Sequence, residues 1–168
     1  RVFIVEVMGH KVGWLTLYAG ISGGADIILL PEIPYDINVV CDAITKRSKA
    51  GKRFSILAVA EGAISKEDAG MTKKELKEKK KNGVVYPSVA YEIGARIQEV
   101  TGSEVRVTVP GHMQRGGEPC PYDRVLATRL GAAAARLIAD EEYGYMVALK
   151  NNEITKVPLS EVAGKLKT

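Results

Sequence analysis

Short apolar segments alternate with amphipathic ones along most of the chain. Four runs rich in Val, Ile, Leu and Ala predict buried strands at Val2–Val7, 27–30, 54–60 and 105–109. Apolar residues recur at helical spacing between these runs. Because strands that alternate with helices of ten or more residues build βαβ units, the pattern predicts an α/β fold. We expect a mostly parallel sheet flanked by helices in a Rossmann-like three-layer arrangement.

Glycine, proline and capping residues set the expected helix limits. Helices are predicted from Trp14 to the Gly23-Gly24 pair, from an Asp36 N-cap to Gly51, and from Pro87-Ser88 to Gly102. The last third of the chain predicts a long helix at about 122–142, a strand at 145–149, a tight turn at 151–152 and a short helix after Ser160. Since no internal repeat and no long linker interrupts the sequence, we expect one domain, or most of one.

The segment at about 65–83 differs from the rest of the chain. It contains seven lysines and four acidic residues, with few large apolar side chains. That is too little apolar surface for a core element, so the segment predicts a surface insertion that is part loop and part short helix.

The composition narrows the class of protein. Of the 168 residues, 46% are hydrophobic, which excludes a disordered chain and suffices for one buried core. Two cysteines, Cys41 and Cys120, exclude a disulfide-dense scaffold and a four-thiolate zinc site. No apolar run approaches the roughly 18 residues of a membrane span. The sequence starts at Arg1 and opens like a strand inside a domain, so we expect a fragment of a cytoplasmic protein.

The net charge of +4 and the pI near 9.0 suggest nucleic-acid binding as one function class. The lysine-rich insertion alone carries three of those four net charges. It has no interleaved aromatic residues that could stack on bases, so the charge pattern does not favour a nucleic-acid partner.

The loop at 111–117, Gly-His-Met-Gln-Arg-Gly-Gly, is the strongest candidate for ligand chemistry. It follows a predicted strand, precedes the long helix, and offers an imidazole, a guanidinium and accessible backbone N–H groups. Arginine binds phosphate in a bidentate manner, and a helix N-terminus adds a favourable dipole. The spacing matches neither of the glycine-rich nucleotide motifs. The loop therefore suits a phosphomonoester, and the alternative is a plain turn with a solvated arginine.

Residues at the strand ends could join the same site, because ligands of such sheets bind beyond the carboxyl ends of the strands. Glu61 could accept hydrogen bonds from sugar hydroxyls, pair with an arginine, hold a metal through water, or cap the next segment. Met8 and Gly9 end the first strand, where glycine lets a ligand approach the backbone closely. Glu6 lies inside that strand and must be either at a sheet edge or paired.

Other charged positions carry less information by themselves. Arg106 shares a strand face with Thr108 and is expected to face solvent, and Arg1 gives no signal of its own. Asp26 and Glu32 flank the second strand and could associate with magnesium, but their spacing does not predict a metal site.

Several stretches occur together in a fixed order: Arg1, Val5-Glu6-Val7-Met8-Gly9, Gly23-Gly24-Ala25-Asp26, Pro31-Glu32, Ala60-Glu61, Arg106, the 111–117 loop and Pro121-Tyr122-Asp123-Arg124. In this order and spacing the chain resembles the sugar-phosphate-binding portion of the 6-phosphofructokinase family. The resemblance runs from residue 1 to about 150, except for the insertion. It implies a phosphofructokinase-like fold in which residues 1–168 form the fructose 6-phosphate-binding portion, without the donor-binding amino-terminal portion.

The resemblance implies a substrate-binding set made of Arg1, Met8, Gly9, His10, Glu61, Arg106, His112, Met113, Gln114 and Arg115. Within this set, His112 and Arg115 would bind the 6-phosphate of fructose 6-phosphate. Arg1 and Arg106 would reach the same phosphate across a subunit boundary. The resemblance therefore implies a homo-oligomer, dimer or tetramer, whose subunits share each substrate site.

The remaining assignments concern the sugar and the transferring group. Glu61 and the Met8-Gly9 backbone would position the sugar ring and its hydroxyls. His10 stands where the family usually has an arginine that stabilises charge on the transferring phosphoryl group, which makes it the candidate catalytic residue. Asp26 and Lys52 match part of an effector site found in allosteric bacterial members of the family.

The resemblance also implies the reaction: in-line transfer of a phosphoryl group from ATP or pyrophosphate to the 1-hydroxyl of fructose 6-phosphate, giving fructose 1,6-bisphosphate in glycolysis. Mg²⁺ would bind with the donor, and an aspartate would act as base. The donor loop and that base belong to the portion that this chain lacks, so we expect the fragment alone to be inactive. Two alternatives are a non-catalytic sugar-phosphate-sensing domain that uses the same anion cluster, and a basic nucleic-acid-associated protein.

Overall fold

The computed structural model describes residues 1–167, except for the side chains of Lys73 and Lys80. The chain forms two compact units, Arg1–Gln114 and Arg115–Lys167. The parallel sheet belongs to the first unit, and a long helix with a β-hairpin belongs to the second.

The first unit is built on a four-stranded parallel sheet in the order β2-β3-β1-β4. The strands are β1 (Val2–Val7), β2 (Ile27–Leu29), β3 (Ser55–Ala60) and β4 (Val105–Thr108). β1 and β3 lie in the middle of the sheet, which explains why their sequences are almost wholly apolar. All four predicted strands are confirmed, each within one residue at either end.

Five helices accompany this sheet: α1 (Trp14–Ser22), α2 (Ile37–Lys49), α3 (Lys66–Ala69), α4 (Lys73–Asn82) and α5 (Val89–Thr101). Gly20 of α1 packs against Ala58, whereas Gly94 of α5 packs against Ile4. Ile4 pairs with Leu57, the residue that precedes Ala58, so these contacts lie on opposite faces of the sheet. The three-layer α/β arrangement predicted from the sequence is confirmed.

The core lies between the sheet and the face formed by α2 and α5. Its largest fully buried apolar side chains, each exposed by 1% or less, are Val2, Ile4, Leu57, Val59, Ile93 and Ile97. Burying each of these side chains stabilises the fold by about 1.5–3 kcal/mol relative to leaving it exposed.

The lysine-rich insertion forms the two helices α3 and α4. A capping box starts α4: the Thr72 hydroxyl accepts from the Glu75 backbone N–H at 3.4 Å, and the Glu75 carboxylate accepts from the Thr72 N–H at 2.7 Å. Lys79 of α4 pairs with Asp68 of α3 at 2.5 Å. Caps and ion pairs thus organise a segment that has little apolar surface to bury.

The second unit consists of α6 (Pro121–Ala139), β5 (Tyr145–Lys150), β6 (Glu153–Pro158) and α7 (Leu159–Val162). α6 ends three residues before the predicted limit, with Asp140 as its C-cap and a left-handed residue, Glu141, following at φ 55°. β5 pairs with β6 in an antiparallel hairpin. β6 was not predicted from the sequence. The turn between the two strands holds Asn151 and Asn152 at φ 51° and 65°, as a type I′ turn requires.

A membrane-crossing element was not expected from the sequence. Over residues 1–167, no helix is both long enough and apolar enough to cross a bilayer.

Candidate functional site

The carboxyl ends of β1, β3 and β4 meet at one edge of the sheet, because the three strands are parallel and β1 pairs with both of the others. A cavity of about 190 Å³ opens there. Its lining consists of Glu6, Met8, Glu61, Val109, Gly111, His112 and Gln114. Four of the side chains predicted for the site, from three separate stretches of sequence, therefore surround one cavity.

Glu61 fixes the backbone that follows β1. Its Oε1 accepts hydrogen bonds from the backbone N–H groups of Gly9, at 3.1 Å, and of His10, at 2.6 Å. These bonds hold His10 in the left-handed region, at φ 53°. Gly62, which follows Glu61, lies so close to the His10 peptide that a Cβ at position 62 would be 1.9 Å from the His10 carbonyl oxygen. The glycine at position 62 is therefore needed for this contact.

Gln114 joins two walls of the cavity. Its Oε1 accepts from the Met8 backbone N–H at 3.1 Å, and its Nε2 donates to the Gly111 carbonyl at 3.4 Å. The side-chain amide thus ties the end of β1 to the turn after β4. Its direct contact with a substrate stays a prediction.

Glu6 is a cavity-lining residue whose role the sequence did not reveal. Its side chain is 7% exposed, and its Oε2 accepts from the Ala90 backbone N–H at 3.0 Å, in the first turn of α5. A carboxylate is favoured at that position by the helix dipole. Of the two expected situations, edge exposure or pairing, the structure has the paired one. The only sequence feature that pointed to Glu6 was its charge inside an otherwise apolar strand.

The other loop residues occupy different positions. Met113 is 83% exposed and lies outside the lining of the cavity. Gly9 and His10 reach the site through their backbone N–H groups. Arg115 ends the 3-10 turn Gly111–Arg115 and is the first residue of the second unit. Its expected contact with a phosphate stays a prediction.

Arg1 and Arg106 lie at the opposite end of β1. Val2 pairs with Val105 and Phe3 with Arg106, so both arginines are at the amino ends of their strands. β1 has six residues, and at about 3.3 Å per residue it separates Arg1 from Met8 by roughly 20 Å. Neither arginine is among the residues that line the cavity of its own chain.

A carboxylate, Glu104, lies between these two arginines. Its Oε2 accepts from Arg1 Nε at 2.8 Å, and its Oε1 accepts from Arg106 Nε at 3.0 Å and Nη2 at 2.8 Å. Hydrogen bonds from Arg106 and then from Arg1 lower the pKa of Glu104. This residue was not singled out from the sequence.

The residues considered for an effector site or for magnesium lie outside the cavity lining. Asp26 pairs with Arg47 at 2.6 Å and accepts from the Ile56 backbone N–H at 2.9 Å, while Lys52 is exposed. Glu32 accepts from the Gly13 backbone N–H at 2.8 Å. Within the described part of the chain, no group of three or more His, Cys, Asp or Glu side chains could hold a metal ion.

A larger cavity of about 480 Å³ lies between the start of α2, helix α5 and the insertion, and it contains none of the predicted site residues. Charged groups pair along its wall, as Lys66 does with Asp36 at 4.0 Å. Burial, and then the nearby carboxylates of Glu92 and Asp68, raise the pKa of Tyr35. This cavity could not be predicted from the sequence, because residues of the folded insertion form part of its wall.

Comparisons with known proteins agree on one family. The model of the family described as phosphofructokinase matches residues 1–138. An ATP-dependent 6-phosphofructokinase of Spirochaeta thermophila is 56% identical over 168 residues, which are 100% of this chain and 46% of that protein. ATP-dependent 6-phosphofructokinase 3 of Bacteroides thetaiotaomicron is 46% identical over 167 residues, covering 99% of this chain and 44% of that protein. The chain thus spans slightly less than half the length of these relatives.

Solved structures give the same result. The crystal structure of Pichia pastoris phosphofructokinase in the T-state matches 96% of this chain and 17% of that chain, with a TM-score of 0.72 and 36% sequence identity. The similarity therefore extends over both compact units of the chain.

Proposed function

Because the chain belongs to the phosphofructokinase family, we propose that it is the fructose 6-phosphate-binding portion of a cytoplasmic 6-phosphofructokinase. The whole protein transfers a phosphoryl group to the 1-hydroxyl of fructose 6-phosphate and yields fructose 1,6-bisphosphate, a step of glycolysis. The names of the relatives support ATP as the donor, with pyrophosphate as the alternative. One observation carries the proposal: Met8, Glu61, His112 and Gln114 surround a single cavity at the carboxyl edge of the sheet.

The cavity supports this role through the groups that it offers. His112 can donate a hydrogen bond to a phosphate oxygen, and Arg115, three residues later, can supply a bidentate partner. Glu61 lines the same cavity as His112 and holds the peptide of His10 in place. A sugar phosphate bound here has its phosphate at the 111–117 loop and its ring between Glu61 and Met8.

The position of His10 supports a role near the transferring group. Glu61 holds the His10 backbone at the end of β1, beside the proposed sugar site. We propose that His10 stabilises charge on the phosphoryl group during transfer, with Lys11 as the neighbouring cation. Stabilisation of charge that develops in the transition state is the main contribution a protein makes to such reactions.

The small volume of the cavity supports a shared site. A volume of about 190 Å³ is small for a ligand pocket, since pockets for small molecules usually have about 300–1,000 Å³. Along β1, Arg1 lies roughly 20 Å from Met8, and Arg106, which pairs with Phe3, lies roughly 16 Å from it. Each chain thus offers two partial sites at opposite ends of one sheet. A two-fold symmetric pair of chains would complete two phosphate sites, so we propose a homo-oligomer, dimer or tetramer.

Among the described side chains, no group of three or more His, Cys, Asp or Glu residues could hold Mg²⁺ by itself. Magnesium in phosphoryl transfer is usually bound by one or two carboxylates together with the donor phosphates. We propose that it enters with the donor and is held mainly by the portion of the protein outside this chain. This chain would then contribute the acceptor sugar, its orientation, and cationic groups.

The experiment that tests the proposal is an assay of the full-length protein that carries this chain. Purified enzyme is incubated with fructose 6-phosphate and either ATP or pyrophosphate, and fructose 1,6-bisphosphate is measured. We expect product with ATP and a higher KM for fructose 6-phosphate in the Arg115→Ala variant. Binding of the sugar phosphate without product from either donor would support a sensing domain instead. The isolated 168-residue chain is expected to give no product.

A further inference from the structure

One carboxylate connects the two arginines at the amino edge of the sheet. Glu104 accepts one hydrogen bond from Arg1, at 2.8 Å, and two from Arg106, at 3.0 and 2.8 Å. Each of its two oxygens serves a different arginine. Both arginines are assigned to a phosphate by the proposed function, whereas that function leaves Glu104 without a role.

Strand pairing brings these three side chains together. Val2 pairs with Val105, which places Arg1 opposite Glu104 across the β1–β4 ladder. The Val2 backbone N–H donates to the Glu104 carbonyl at 2.9 Å, which fixes this register. Arg106 lies two residues after Glu104, and side chains two residues apart share a strand face. The trio is therefore specified by the backbone and not by a chance encounter of long side chains.

The geometry leaves each guanidinium one edge for another ligand. Glu104 contacts the Nε of Arg1, and the Nε and Nη2 of Arg106. Among residues 1–167, no hydrogen bond engages the terminal nitrogens of Arg1 or the Nη1 of Arg106. Arginine can bind one anion along each edge of its planar group. A carboxylate on one edge thus directs the other edge towards a second anion.

The local charge also suits a phosphate. Two guanidinium groups and one carboxylate leave a net charge of one positive unit, and the carboxylate relieves the repulsion between the two cations. Both arginine side chains are more than half exposed, at 60% and 58%. An exposed arginine without such a partner would sample many rotamers, and ordering it on binding would cost free energy.

From these observations we propose that Glu104 is a positioning residue, which orients Arg1 and Arg106 towards the 6-phosphate bound at a neighbouring subunit. The inference rests on the proposed function. Glu104 acts only through the two arginines and does not touch the substrate. Binding of the phosphate should therefore depend on Glu104, while the chemical step should not.

The first test is the Glu104→Gln variant of the full-length enzyme, assayed with fructose 6-phosphate and ATP. Glutamine keeps one acceptor oxygen but places an NH₂ group against the other guanidinium, so one arginine loses its partner. We expect the KM for fructose 6-phosphate to rise about tenfold with kcat within twofold of wild type, since a misplaced binding group weakens binding without changing the reaction. A KM that is unchanged or lower would overturn the proposal, and a lower one would mean that Glu104 competes with the phosphate.

Glu99→Gln is the matched control, because Glu99 is an exposed carboxylate that pairs with Arg96 at 3.2 Å and is not assigned to the site. We expect this variant to keep the wild-type KM. A second test places Glu104→Gln in an Arg1→Ala/Arg106→Ala background, where it should leave the KM unchanged. A further rise there would show that Glu104 acts independently of the arginines. If the wild-type enzyme forms no product at all, the proposed function fails. If it does and only these expectations fail, the inference alone is wrong.

Discussion

The backbone N–H of His10 donates to Glu61 Oε1 over 2.6 Å, so a carboxylate at the end of β3 fixes the peptide that follows β1. The two strands pair in parallel, with Val7 opposite Ala60, so their ends are adjacent. The same oxygen accepts from the Gly9 N–H. Glu61 therefore determines the local backbone of the candidate site before any ligand arrives.

Replacing Glu61 separates its charge from its hydrogen bonds. Glu61→Ala removes the acceptor of two backbone N–H groups, and we expect kcat/KM for fructose 6-phosphate to fall about 100-fold. Glu61→Gln retains an oxygen for both N–H groups and should lose only about tenfold. Glu67→Ala is the control, since the Glu67 side chain is 77% exposed and its ion pair with Lys79 is long, at 4.0 Å. Steady-state kinetics measure whether Glu61→Ala loses more kcat/KM than Glu61→Gln. Equal losses in the two variants would contradict the role of the hydrogen bonds.

The close approach of Gly62 to the backbone at residues 9–10 can be tested by measuring stability. A Cβ at position 62 would lie 1.9 Å from the His10 carbonyl oxygen, so Gly62→Ala must displace the 9–10 backbone. We expect a loss of roughly 1–3 kcal/mol in the free energy of unfolding, together with weaker activity. Gly70→Ala is the matched control, because its nearest neighbour, the Glu67 carbonyl oxygen, is 3.5 Å away. Denaturant unfolding of both variants measures this loss. Equal unfolding midpoints for the two variants would argue against the close approach.

Gln114 is expected to act by joining the end of β1 to the following turn. Gln114→Ala removes the bonds to the Met8 N–H and the Gly111 carbonyl, each worth about 0.5–1.5 kcal/mol. We expect the KM for fructose 6-phosphate to rise about tenfold, since about 1.4 kcal/mol corresponds to that factor. Gln114→Glu, which adds a negative charge beside the proposed phosphate site, should raise the KM further.

The control for Gln114 is Gln98→Ala, on the exposed side of α5. It should leave both KM and the unfolding midpoint unchanged. A Gln114→Ala enzyme with the kinetics of the Gln98→Ala enzyme would refute the bridging role.

The start of α4 should depend on pH. Hydrogen bonds from the Thr72 backbone, and then from its side chain, lower the pKa of Glu75 below its usual 4.5. A lowered carboxyl pKa stabilises the folded helix above the unfolded-state pKa, and this contribution is lost as the pH falls through the folded-state value. Between about pH 6 and 3.5, hydrogen exchange of the α4 amides, corrected for intrinsic rates, should therefore accelerate.

The Glu75→Gln variant should show a weaker change with pH in the same experiment, because the titrating group is gone. Glu78→Gln, in the same helix, is the control and should behave like wild type. An identical pH response in all three proteins would contradict the role of the capping box.

Local pattern was enough to predict the sheet and most helices. The apolar runs that became β1 and β3 have no exposed residue on either face, and such runs can be recognised without knowledge of their partners. Glycine at the end of α5 and Asp36 at the start of α2 marked helix limits correctly, because capping is a local interaction. β6 was missed because Glu153, Thr155 and Lys156 give it a mixed polar surface, and only its pairing with β5 makes it a strand.

Interactions between distant residues set the limit of prediction at the site. Glu6 finds its partner at Ala90, and Gln114 finds Met8, across 84 and 106 positions of sequence. No periodicity encodes such pairs, so the sequence pointed to four residues that line one cavity but not to the hydrogen bonds that hold them. The resemblance to a family suggested a role for Arg1 and Arg106, while Glu104 became visible only through the register of β1 and β4.

In the proposed oligomer, each substrate site combines the carboxyl edge of one chain with the amino-edge arginines of another. Two variants of the full-length enzyme test this arrangement. Arg106→Ala alters the amino-edge half of the site and His112→Ala alters the carboxyl-edge half, so each variant alone should be strongly impaired. Dissociation and reassociation of an equal mixture forms hybrids in which one of two sites has both halves intact. For a dimer that reassorts at random, we expect recovery to about a quarter of wild-type fructose 6-phosphate phosphorylation. Activity of the mixture that stays at the average of the two parents would contradict a shared site.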